Sequence, residues 1–108
     1  MLENQKSNFI SDDTLLKIKG NISEDRSESR EYIKKTARAI YTVLSKHQVA
    51  HLKCVGAASI SNAIKAAAIA RENVMEKDGT NLYIEPYFGE AEFDGNIKTA
   101  IIITVKQN

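Results

Sequence analysis

Two hydrophobic periods alternate along this chain. Leu16 and Ile18 alternate with Lys17 and Lys19 over Leu15-Leu16-Lys17-Ile18-Lys19, the period of two of a half-buried strand. Gly20-Asn21-Ile22-Ser23-Glu24-Asp25 breaks that pattern and reads as a loop. The period then changes to that of a helix. From about Arg26 to Lys46, Ile33, Ala37, Ile40 and Leu44 form a stripe widened by Thr36 and Val43. Lys34, Lys35, Arg38, Thr42 and Lys46 face water, with Tyr32 and Tyr41 at the borders. Asp25, followed three residues on by Glu28, is a candidate cap for this helix.

The same alternation of periods repeats. His51-Leu52-Lys53-Cys54-Val55 reads as a second strand, with Leu52 and Cys54 on one side, and Gly56 ends it. Ser59 is the expected N-cap of an alanine-rich helix that stops at Asp78-Gly79. Its expected inner stripe is Ile60, Ile64, Ala67, Ala68, Arg71 and Met75, and its alanines allow close approach to whatever covers it. Leu82 to Phe88 reads as a strand with an edge or bulge at Pro86, and Ala91-Glu92-Phe93 extends it past a break at Gly89. Asp94-Gly95-Asn96 is a hairpin turn, and Lys98 to Lys106 is the last strand. Aliphatic residues on both its faces predict a central or covered strand.

The order β-α-β-α-β-β predicts an α+β two-layer sandwich, with two helices on one face of a four-stranded mixed sheet. Residues 1–13 are polar and aperiodic and read as a flexible N-terminal tail, leaving 14–108 as one domain. A two-layer domain of this size with an open sheet face is expected to dimerise or form higher oligomers.

Composition adds a location and charge adds a candidate surface. The single cysteine, Cys54, fits a reducing compartment and reads as a small core residue. The polar N-terminus lacks the apolar core of a signal peptide, and no apolar run is long enough for a membrane helix, so a cytoplasmic protein is expected. The net charge of +1 hides an asymmetry. Residues 26–71 carry nine basic groups against Glu28 and Glu31, and both flanks are acidic. Such a distribution marks either an anion-binding face or complementary surfaces of an assembling protein.

Enzyme chemistry finds little support. His47 and His51 are the only histidines and no nucleophile elbow surrounds Ser59 or Ser61. The two histidines have the spacing of a helical metal pair, but the helix is expected to end between them, so neither a metal nor a cofactor is expected. Glu85, Glu90, Glu92 and Asp94 read as an exposed acidic hairpin. Gly56-Ala57-Ala58-Ser59 opening a helix, with Lys53 and Lys65 on either side, has the form of an anion site.

The run from Gly56 to Arg71 resembles the signature of the stage V sporulation protein S family, which has a glycine-alanine turn followed by Ala-Val-Lys-Ala and Ala-Ile-Ala-Arg elements. Leu82 to Phe88, Phe93-Asp94-Gly95 and Lys98-Thr99-Ala100-Ile101 follow the same family's strand, turn and strand. The similarity extends over roughly residues 14–107. That family is related to the Alba proteins, so the resemblance implies an Alba-like homodimer. It also implies a non-enzymatic regulatory role in sporulation or development, with binding to DNA or RNA backbone and little base reading. The candidate contacts are Lys17, Lys19, Arg26, Arg30, Lys53, Gly56, Ser59 and Lys65. Glu24, Asp25, Glu90, Glu92 and Asp94 stand where Alba proteins are basic. The alternative is an assembly module, without nucleic-acid binding, that uses its alanine-rich helix and open sheet face on itself or a protein partner.

Overall fold

The computed structural model of the chain describes residues 10–108. Strand β1 is Leu15–Ile18, helix α1 Arg26–His47, β2 Val49–Cys54, α2 Ala57–Asp78, β3 Leu82–Phe93 and β4 Asn96–Gln107. Of the expected tail, residues 1–9 lie outside the described residues. Asp12–Thr14 form a single 3-10 turn capped by the Ser11 hydroxyl.

The sheet has the order β1-β2-β4-β3. β1 and β2 are parallel, and β4 is antiparallel to both β2 and β3, so the sheet is mixed as expected. The two helices complete the two-layer α+β sandwich. β4 is central, which explains why Ile102, Ile103, Thr104 and Val105 are all buried although their side chains alternate between faces. β3 is an edge strand, where Pro86 costs no ladder hydrogen bond.

α1 forms where its pattern places it. Asp25 caps it by accepting from the Ser27 backbone N–H at 2.9 Å. Gln48, at φ 67°, closes it with an N–H bond to the Leu44 carbonyl. Thr36, Ala37, Ile40 and Leu44 are buried and Ile33 and Val43 half-buried. The core joins this face to Leu52, Cys54, Ile103, Val105 and the inner face of α2.

The inner face of α2 differs from the expected one. Ser59, Ala63, Ala66, Ala67, Ala70 and Val74 are buried, whereas Ile64 is 41% and Met75 44% exposed, and Ala68 and Arg71 also face out. The buried set lies one residue back along the helix, a rotation of about 100°. Alanine methyls let α2 pack closely on its neighbours, and isoleucine and methionine at those positions would hold it away. Ser59 is likewise not the N-cap. Gly56 occupies that position without a side-chain cap, and the Ser59 hydroxyl donates to the carbonyls of Val55 and Gly56, both at 2.9 Å.

β3 and β4 form one unbroken hairpin closed by Asp94 and Gly95, both at positive φ. No break occurs at Gly89, which pairs with Ala100. A Cβ there would lie 2.8 Å from Ile102 Cγ1, so glycine serves close packing within the strand rather than ending it. β2 pairs with β4 only from Ile101 onward, and the hairpin continues past it as a two-stranded arm.

Placing the alanine face inside has a testable consequence. Ala66→Leu is expected to destabilise the fold by about 1–3 kcal/mol through overpacking. Ile64→Ser is expected to change stability by less than about 0.5 kcal/mol. Urea unfolding midpoints of the two variants would check the assignment, and equal losses would return Ile64 to the core.

Candidate nucleic-acid interface

Six of the eight candidate residues line two recesses at one end of the domain, where β1 and β2 finish and both helices begin. Lys17, Lys19 and Lys53 line a cleft of about 500 Å³ whose opposite wall is Ala91, Glu92 and Phe93 of the hairpin arm. Arg26, Arg30 and Lys65 line a groove, also of about 500 Å³, between the starts of α1 and α2. Gly20 and Asn21 belong to both, so the turn after β1 divides two basic recesses.

That turn is held firmly. The Asn62 side-chain amide donates to the carbonyls of Lys19 and Gly20 at 3.0 and 2.8 Å, and the Lys19 backbone N–H donates to the Tyr32 hydroxyl at 2.8 Å. At Gly20 a Cβ would lie 3.3 Å from both Ala58 Cβ and Ser59 N, so the turn rests directly on the first turn of α2. The chain reading missed Asn62. Its signal is a polar residue three places after Ser59 on the same helical side, which means nothing until the turn it holds is known.

The remaining two candidates stand beside the recesses without lining either. Gly56, exposed at φ 91°, opens α2, and Ser59 is buried with its hydroxyl turned inward. Phe93 and Glu92 enter the site without having been singled out as contacts. Their approach to Lys17 and Lys53 joins segments far apart in sequence.

Charge in the cleft is uneven. Lys17 and Lys53 are direct partners in the β1–β2 register, and like charges placed opposite each other are unfavourable. Among the described residues the ion pair is Lys106–Glu85, 2.9 Å apart on the opposite part of the sheet. The acidic groups Glu90, Glu92 and Asp94 are exposed on the arm.

The family model described as Stage V sporulation protein S matches residues 26–108. The chain belongs to the stage V sporulation protein S family. The match begins at the first residue of α1, so Arg26, Arg30, Lys53, Gly56, Ser59 and Lys65 fall inside the family domain. Lys17 and Lys19, on and just after β1, fall outside it, although the fold brings them beside Lys53.

The titratable groups divide by environment. Burial pushes the Cys54 thiol up, opposed in part by the Ser59 hydroxyl, as suits an inert core residue. Hydrogen bonds from the Ser27 backbone and side chain hold Asp25 below the ordinary aspartate value. His47 ends α1 and His51 lies in β2, so they do not share a helical face. Among the described residues, no group of three His, Cys, Asp or Glu side chains is placed to hold a metal, and no helix is long and apolar enough to cross a membrane.

His51 Nδ1 lies 2.8 Å from Thr104 Oγ1 and 3.4 Å from the Tyr87 hydroxyl on the sheet face away from the helices. Burial and then Lys106 lower its pKa from the ordinary histidine value. The unfolded chain therefore takes up the proton first as pH falls. The contribution of neutral His51 is complete above about pH 6.5 and is lost as pH falls through that value to the lower native pKa. Urea midpoints between about pH 7.5 and 5 should fall less steeply for His51→Gln than for the parent chain. Parallel curves would remove His51 from the acid-side loss.

Proposed function

We propose that this chain is a non-enzymatic regulatory protein that binds nucleic-acid backbone modestly and with low sequence specificity. Membership of the stage V sporulation protein S family supports a sporulation-related regulatory role. The observation that supports nucleic-acid binding is the convergence of Lys17, Lys19, Arg26, Arg30, Lys53 and Lys65 on the two recesses beside Gly20 and Asn21. Lysine and arginine side chains suit phosphate neutralisation. Glu90, Glu92 and Asp94 repel phosphates along the arm and keep the affinity modest.

Fluorescence anisotropy with labelled duplex DNA and single-stranded RNA at two salt concentrations tests this reading. Between about 50 and about 200 mM salt, binding should weaken by roughly 40-fold for the duplex and roughly 20-fold for the single strand if three phosphates are neutralised. The double variant Lys53→Ala, Lys65→Ala should weaken binding further at low salt. An unchanged affinity in that variant would remove the site assignment, and no binding at low salt would remove the function.

Self-association is a second reading, favoured by one surface. β3 is a 12-residue edge strand, and Phe88 on it is 77% exposed, with Ile97 of β4 62% exposed. Natural edge strands are seldom this long and apolar without a covering partner. The expected occupant is a second copy of the chain, as a homodimer or larger. Sedimentation equilibrium should give a dimer or larger for the parent chain and a shift toward monomer for Phe88→Glu. A parent chain monomeric at high concentration would sink this reading.

A further inference from the structure

The cleft beneath the hairpin arm differs from the groove between the helices in having an aromatic wall. Ile18, Val55, Ala91 and Phe93 supply apolar surface, and Lys17 and Lys53 stand as register partners on its floor. Phe93 lies outside the buried core and is 47% exposed, with Lys98 Nζ 5.5 Å from its ring centroid. No described carboxylate lies within ion-pair distance of Lys17 or Lys53. A cleft of about 500 Å³ matches a single small ligand that is apolar at one end and anionic at the other. A nucleotide has that chemistry. In a duplex the face of each base is already stacked, so only an unpaired nucleotide can present it.

We propose that this cleft binds one unstacked nucleotide, with its base against Phe93 and its phosphate on Lys17 and Lys53. The nucleotide is either part of a single strand or a free nucleoside monophosphate. The proposal rests on the nucleic-acid function above and narrows the ligand of this cleft to an unpaired nucleotide. Stacking of this kind is tolerant of sequence, because every base has a flat face.

Anisotropy with the full chain, using a labelled single-stranded DNA and its matching duplex at low salt, tests the proposal. The single strand should bind more tightly. Phe93→Ala should weaken single-strand binding about tenfold, and Phe93→Tyr should restore it. The chain has no tryptophan, so Phe93→Trp adds one fluorophore in the cleft, which a single strand should quench and a duplex should not. That readout does not depend on how the alanine variant folds. Equal binding of single strand and duplex, with Phe93→Ala altering neither and no quenching, would overturn the proposal and leave backbone binding intact. Saturable quenching by adenosine monophosphate without binding of any strand would support the nucleotide cleft and overturn the nucleic-acid function. Absence of quenching by either ligand, together with no strand binding, would overturn both.

Discussion

Ala63, Ala66 and Ala70 present nothing larger than a methyl group to the surfaces they cover, and α2 sits against the rest of the domain at the distance this allows. Other features follow from that approach. The start of α2 comes close enough for Gly20 to rest on Ala58 and on the Ser59 backbone. Asn62, on the same helix, is then near enough to bond the two carbonyls of the turn. A bulkier inner face would lift α2, release Asn62 and let the turn drift. The two basic recesses share that turn as their boundary, so their shapes depend on a packing distance within the core.

The parts of this fold that were legible in the chain are those where size and polarity vary together. On α1, large apolar residues alternate with lysines and arginines, and only one face can be buried, so its stripe reads directly. On α2 the apolar residues run around most of the helix, and alanine suits either side. Weighing residues by bulk then selects Ile64 and Met75, one position away from the face that close packing uses. Gly89 shows the same limit, since glycine marks both a broken strand and a close contact. The sharing of one cleft by Lys53 and Phe93 has no local signature. It depends on how far the hairpin continues past β2, and register is a property of the paired strands rather than of either alone.

The distribution of charge around the cleft bears on what it can accommodate. A duplex lays down one phosphate charge for about every 1.7 Å of its axis, and a surface matched to it is a continuous track of cations. Here the hairpin arm breaks the track, because exposed Glu90, Glu92 and Asp94 stand on it with Lys98. On the proposed reading, a flexible strand or a single nucleotide would place a phosphate at the lysines and its base in the apolar space beside Phe93. The acidic groups of the arm weaken the case for general DNA packaging and, on the proposed reading, suit a ligand with few phosphates and an unstacked base.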